Sequence, residues 1–520
     1  MCSIKRSIIK KTFEFGIPTF LSRMLGLVRE ILQARIIGVG VVSDAFIAAF
    51  KIPNSLRKIF AEGALTGALV PTIVSLLKKD GRKSINDLMT LSFLVFEGTL
   101  LLLCLIIFWK PYATIKLIAW GFSHEQISYA VPFLRVLVSF ILFISSSALL
   151  GGVLQAMHHF LVPAFAPVLL NIFFITGLLV CKWLEVSLMY LCVFIVAGSA
   201  AAFLLHLFVY FKYHFSFGSI NKEAWHNFKN LVTKFIPSMI GMSIVEVNLF
   251  LDSTVSSFLS KGSYTLLYYG GRLMGIPLGV FAVAFSSILL PHFSRVVLYA
   301  PKRLGFYLLE SAKLVFWVTI PAAILMTLFS QKIFITLFLS DKFPAARIPE
   351  ASYILIAFLI GLFFFSINKI LLNIYYALHD TKLPMYTSAV SASFNFVADV
   401  ILMQGFGTVG IALATSLSGI LQVILLTYYL NKKYVFSVSL SYFVQFMWRY
   451  LLQLSLIMPL FYVAHRVISK AIYCYFSGWM LHFLTDKAGF WLWTLPLMGL
   501  VFIALYFTRK PFKLRMHFLD

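Results

Sequence analysis

Apolar positions run along this chain in long stretches, without the strict alternation of a half-buried strand or the one-sided stripe of a surface helix. Residues 100–109, 197–211, 320–329 and 354–365 carry no Asp, Glu, Lys or Arg. Each lies inside a low-charge stretch of roughly 20 residues, the length that crosses a hydrocarbon core as a helix. Turn and charge breaks divide the chain into about 14 such spans, centred near residues 24, 59, 100, 141, 173, 203, 244, 283, 320, 363, 394, 420, 454 and 500. The pattern predicts an all-α integral membrane protein, and an even number of spans puts both termini on one side. The first span is preceded by Lys5, Arg6, Lys10 and Lys11 but contains Arg23, Arg29 and Glu30 and no small-residue cleavage site, so it reads as retained and not as a signal peptide.

Composition sharpens the class. Hydrophobic residues make up 61% of the 520 positions and charged residues 12%, outside the range of soluble domains. Loops on the side of the termini hold 22 Lys and Arg, and those on the other side hold 10. Short cytoplasmic loops carry the basic excess, so both termini are expected in the cytoplasm of a bacterial inner membrane protein. Most of the net charge of +24 is then topology signal and attraction to the lipid surface, and no nucleic-acid partner is needed to account for it. The five cysteines show no CxxC or metal-ligand spacing.

Punctuation residues repeat at a nearly constant offset. Ile17-Pro18-Thr19 returns as Ile236-Pro237-Ser238, Ile52-Pro53 as Ile276-Pro277, and Leu69-Val70-Pro71 as Leu289-Leu290-Pro291. Ala156-Met157-His158 with Pro163 returns as Ala377-Leu378-His379 with Pro384. The repeat holds about six spans, so the copies share one orientation, related by an axis along the membrane normal. The chain divides accordingly into a first six-helix lobe (residues 1–215), a bridging segment with a second six-helix lobe (216–435), and two further helices with a basic cytoplasmic tail (436–520). The bridge around residues 214–234 mixes aromatic and basic residues and suits a helix lying on the cytoplasmic surface. Two such bundles imply alternating access, with a site between the lobes lined by helices that Pro or Gly interrupts.

Charged residues inside the first two spans mark the candidate site. Residues seven apart on a helix differ by about 20°, so Asp44, Lys51, Lys58 and Glu62 share a face of the second span, with Arg57 beside it. In the first span Gly16, Thr19, Arg23, Gly26 and Glu30 form a second polar strip, with Arg29 at its edge. Ionised groups facing lipid cost several kcal/mol, so these strips face protein or a water-filled cavity. Internal salt bridges such as Lys58 with Glu62 are the bland account. Five basic groups (Arg23, Arg29, Lys51, Arg57, Lys58) against three acids (Glu30, Asp44, Glu62) leave a cationic excess suited to an anion, and guanidinium favours phosphate. The second lobe offers Arg272 and Lys369, with Glu246, Asp252 and Asp399 as buried acids that serve either as structural partners or as ion ligands. No GxxxxGK[ST], HExxH or GxSxG motif occurs and the His are scattered, which leaves no metal site, no catalytic residue and no ATPase signature.

The segments LSRMLGLVRE and SDAFIAAFKIPNSLRKIFAEGALTGALVP, with VPAFAPVLLNI, LYYGGRLMGIPLGV and residues 369–384, closely resemble the MurJ (MviN) family of lipid II flippases. The resemblance covers nearly the whole chain. It implies a MATE-like fold of the MOP superfamily, with two pseudo-symmetric lobes plus two C-terminal helices. It also implies transport of the undecaprenyl-diphosphate-linked peptidoglycan precursor, lipid II, from the cytoplasmic to the periplasmic leaflet for cell-wall biogenesis. Positions matching the family's functional ones are Arg23, Arg29, Asp44, Arg57, Lys58, Glu62, Arg272 and Lys369. One departure is Gly271, where the family often has Asp. The resemblance implies no cofactor, leaves open coupling to the membrane potential or an ion gradient, and admits the cell-wall synthesis and division machinery as partners beside membrane lipids. The competing reading is a related MOP-type exporter of another lipid-linked oligosaccharide or of a drug.

Overall fold

A computed structural model describes residues 2–60, 64–79, 81–434 and 440–519. These residues are helical almost throughout, and the one β contact among them is the isolated bridge between Ser340 and Phe343. The helices are α1 (Cys2–Ile36), α2 (Val41–Phe60), α3 (Ala64–Lys79), α4 (Gly81–Ser92), α5 (Gly98–Trp109), α6 (Pro111–Ile118), α7 (His124–Leu137), α8 (Phe140–Ala156), α9 (Leu161–Trp183) and α10 (Met189–Lys212). They continue as α11 (Lys222–Ser256), α12 (Ser263–Pro277), α13 (Ala284–Tyr299), α14 (Leu304–Leu328), α15 (Ser330–Phe338), α16 (Ile348–Ile360), α17 (Leu362–Ala377), α18 (Lys382–Tyr434), α19 (Leu440–Tyr475), α20 (Gly478–Asp486) and α21 (Gly489–Thr508).

Burial is inverted relative to a water-soluble bundle. Phe20, Leu102, Trp109 and Ile288 are more than half exposed, while Asp44, Glu246, Glu310 and Asp399 are buried. Apolar side chains outward and satisfied polar groups inward is the arrangement a lipid solvent demands. Eleven helical stretches among the described residues are long and apolar enough to cross a membrane. The predicted figure of about 14 is not reproduced by length and apolarity alone. The 53-residue α18 turns at Gly407, whose φ of 55° breaks one helical run into two. Neither α1, with Arg23, Arg29 and Glu30, nor α11, with Glu246 and Asp252, is among the eleven.

The internal repeat is visible in the helix bounds themselves. Both α1 and α11 are 35 residues long with a proline inside, and they start 220 residues apart. Both α3 and α13 are 16 residues long, again 220 apart and again with a proline inside. The turns after α8 and α17 place His158 and His379 in the left-handed region, at φ of 60° and 56°. That conformation costs a β-carbon-bearing residue roughly 1–2 kcal/mol, so its recurrence at the same point of both copies is a specific likeness.

The chain forms two compact units, Met1–Thr265 and Leu266–Asp520. In the first, α3, α4 and α8 close a core around Leu69, Leu88 and Leu150, and α11 joins it through Phe228, Leu231 and Phe235. Thus α11, which opens the second repeat by its bounds, packs with the first unit. Residues 222–234 do not form a separate surface helix but are the first turns of α11, capped by the Asn221 side chain, which accepts from the Ala224 amide at 2.7 Å. Asp87 of α4 pins the approach by accepting from the Ser219 amide and Asn221 Nδ2, each at 2.8 Å. The second unit is built on α13, α14, α17 and α18 around Phe293, Ile370, Tyr375 and Leu426.

Candidate functional site

The polar strips predicted on α1 and α2 both lie in the first unit, and their members have different surroundings. On α1, Arg29 is half-buried against α9. Its guanidinium donates to Asn171 Oδ1 at 3.1 Å and to Glu30 Oε1 at 2.7 Å, and it lies 5.0 Å from the centre of the Phe174 ring. Asn171 is itself fixed by donating to the Ser22 carbonyl at 3.0 Å. Gly26 lets α9 come close, because a β-carbon there would sit 3.9 Å from the Asn171 amide. The guanidinium is therefore held from two sides, while its buried Nε has no hydrogen-bond partner among the described residues. Arg23, six residues earlier, is exposed and forms no ion pair among them.

On α2 the charges do not form one continuous cavity wall. Asp44 is 1% exposed, and its carboxylate accepts from Gln126 Nε2 at 3.0 Å, the Gly262 amide at 2.7 Å, and the Thr265 amide and hydroxyl at 3.0 and 2.6 Å. It thus caps the start of α12, where free amides and the positive end of the helix dipole favour an anion. Lys51 donates to the Leu249 carbonyl and the Ser253 hydroxyl of α11 and lies 5.4 Å from the Phe250 ring. One turn on, Ser55 and Lys58 both hold Glu246, at 2.6 and 2.9 Å. Arg57 is half-buried and donates twice to Asn54 Oδ1. Glu62, predicted as an acid of the same face and the four-apart partner of Lys58, lies outside the described residues.

Sequence reading singled out Glu246 without its partners and passed over Asn171, Gln126 and Thr265. A lone amide in an otherwise apolar run, as at Asn171, was the available signal. What pairs α2 with α11 is contact across some 190 residues of chain, which helical periodicity does not reach.

The second unit has its own polar positions. Arg272 of α12 is exposed and stands 4.9 Å from the Tyr268 ring. Lys369 of α17 is exposed, and its carbonyl accepts from Ser286 Oγ at 3.3 Å. A β-carbon on Gly271 would meet only the Phe358 ring, at 3.9 Å, so the backbone has room for the acid that the resemblance leads one to expect there. Asp399 is fully buried on α18 and accepts from Asn395 Nδ2 at 3.2 Å. Among the described residues no group of three or more His, Cys, Asp or Glu converges as a metal site.

A family description reading "Lipid II flippase MurJ" matches residues 33–486. The chain belongs to that family. Probable lipid II flippases MurJ of Haemophilus influenzae and Vibrio cholerae are 32% and 30% identical to it, over 81% and 84% of this chain and 86% and 87% of theirs. That of Thermotoga maritima is 30% identical over 84% of this chain and 89% of its own. A solved structure described as lipid II flippase MurJ in an inward closed conformation superposes with a TM-score of 0.77, 27% identity, and coverage of 96% and 99%. An inward-facing MATE multidrug transporter of the MOP superfamily superposes at 0.67 over 81% of this chain and 98% of its own; at 13% identity that likeness is one of fold. The chain is thus a multi-pass membrane protein of a transporter family, with the MATE-like architecture read from its repeats.

Proposed function

We propose that this protein translocates lipid II, the undecaprenyl-diphosphate-linked peptidoglycan precursor, from the cytoplasmic to the periplasmic leaflet by alternating access. The observation that carries this beyond family membership is Arg29. An arginine inside a membrane span, braced by Asn171 and Glu30 but with a buried Nε lacking a hydrogen-bond partner among the described residues, is a prepared donor for an anion. Arg23 adds an exposed cation on the same helix, and Arg272 and Lys369 supply exposed cations in the second unit. Asp44 and Glu246 are occupied by hydrogen bonds and an ion pair, which speaks against an acid-lined cavity for cationic drugs. In this reading the diphosphate meets the arginines, the sugar and peptide occupy water, and the prenyl chain stays in lipid. Both termini lie in the cytoplasm, on the strength of the basic-residue bias.

The test is complementation of cells depleted of their own lipid II flippase. Wild type should restore growth, and Arg23→Ala, Arg29→Ala and Arg272→Ala should fail or grow poorly at matched expression. Full rescue by all three variants would remove the diphosphate-clamp assignment, and failure of the wild type would remove the substrate.

A further inference from the structure

Beyond the arginines of α1, the densest unneutralised positive charge stands in the second unit, where the chain leaves α21. There the C-terminal segment folds back and is locked in place. Leu514 and Met516 are buried, the His517 amide donates to Glu310 Oε2 at 2.7 Å, and the Phe518 ring packs edge-on to Phe285. Arg509 reaches across the turn to the Leu519 carbonyl at 2.9 Å. This fold-back closes one side of a cavity of about 880 Å³ whose other walls are α14 and the first turns of α19.

Five cations line that cavity: Lys313, Arg449, Lys510, Lys513 and Arg515, with no acid among the lining residues. Lys313 is neutralised by Glu310 at 2.6 Å. The other four form no ion pair among the described residues. The volume falls in the range of small-ligand sites. Around the cavity, Tyr442 and Trp448 are 64% and 63% exposed and Tyr506 is 39% exposed. Tyr and Trp collect at the level of lipid head groups, so the cations sit at the depth where phosphates are found.

We propose that this cavity binds the phosphate head group of an anionic phospholipid from the surrounding leaflet. Basic pockets between membrane helices on the cytoplasmic side are built for such head groups, and Arg449 adds a fork of donors that a lysine lacks. By the charge bias the leaflet is the cytoplasmic one; that assignment rests on the topology proposed above, whereas the site itself does not.

The test uses the full chain in neutral detergent, with no lipid II present. Native mass spectrometry would count dioleoyl phosphatidylglycerol and dioleoyl phosphatidylcholine retained by the wild type. It would do the same for a variant with Arg449→Gln, Lys510→Gln, Lys513→Gln and Arg515→Gln, and for a control with Lys222→Gln, Lys229→Gln, Lys302→Gln and Arg303→Gln. The wild type and the control should hold phosphatidylglycerol about tenfold better than phosphatidylcholine, and the fourfold variant should lose that preference. Equal loss in the control would reduce the effect to net charge and overturn the site. Displacement of the lipid by millimolar inorganic phosphate, with no preference left, would make it a site for soluble phosphate and overturn the lipid assignment. Should the fourfold variant not be recovered folded, Arg449→Gln with Lys513→Gln carries the same comparison.

Discussion

Lys58 and Glu246 show how a charge inside a membrane protein is made tolerable. Glu246 is nearly sealed off, with a side chain 7% exposed, while Lys58 remains about a third exposed at 32%. Removing the lysine leaves a buried carboxylate with only the Ser55 hydroxyl. Lys58→Ala is therefore expected to cost about 1–3 kcal/mol, less than a fully buried pair would because of the lysine's exposure. Glu246→Gln, which keeps the Ser55 hydrogen bond, should cost less, and the double variant should recover part of the loss. Thermal unfolding in detergent across the four proteins measures the coupling, and strict additivity would contradict the pairing. Arg29 poses a different question, one of shape. Arg29→Lys keeps the charge but cannot span Asn171 and Glu30 while offering a further donor. Its flipping rate in proteoliposomes should fall at least about tenfold with little change in melting temperature, whereas a near-normal rate would mean that charge alone suffices.

Individual helices are held at their ends by devices that can be titrated. Asp380 lies in the turn between α17 and α18, where it accepts from Lys433 Nζ at 2.7 Å, Tyr434 hydroxyl at 2.8 Å and the amides of Lys382 and Leu383 at 3.2 Å. Burial pushes its carboxyl up, but the hydrogen bonds from Lys433, Tyr434 and Leu383 outweigh this and leave it below the usual carboxylate range. A depressed folded value means that the stabilisation is complete above the unfolded Asp value of about 3.9 and is lost as pH falls through the lower folded one. Wild type should thus lose stability below about pH 4 more steeply than Asp380→Asn, which starts lower and stays flatter over that range. Parallel acid limbs in a pH series of melting temperatures would exclude the effect. The turn itself was legible in sequence, because Ala-x-His followed by Pro five residues later marked both copies. The Lys433 and Tyr434 contacts were not, since they close the two ends of α18 across some 50 residues of chain.

For the molecule as a whole, hydropathy, loop charge and spaced prolines sufficed for the membrane class and the doubled architecture. They worked because lipid imposes one rule on every span. They failed where a charge on one helix is answered by another helix distant in sequence. Asp44 shares a face with Lys51 and Lys58 by spacing, yet it is used to cap α12, and the α2 lysines turn to α11. If the transported head group carries negative charge outward, an inside-negative potential contributes about 2.3 kcal/mol per charge per 100 mV. Flipping by reconstituted protein should slow when the potential and ion gradients are collapsed together. An unchanged rate would exclude both as the energy source.

The recurrence of the left-handed histidine turn has a historical consequence. Shifted by 220 residues, Arg23 falls on Ser243, Arg29 on Leu249 and Glu30 on Phe250. The corners of the two copies still agree while their chemistry does not. Ancestry has kept the joints and let the contents diverge, so one copy could specialise in gripping cargo while the other was released from that duty. Grafting Arg23 and Arg29 onto the second copy would therefore give it a function its present side chains no longer serve, on a backbone that still has the same hinges.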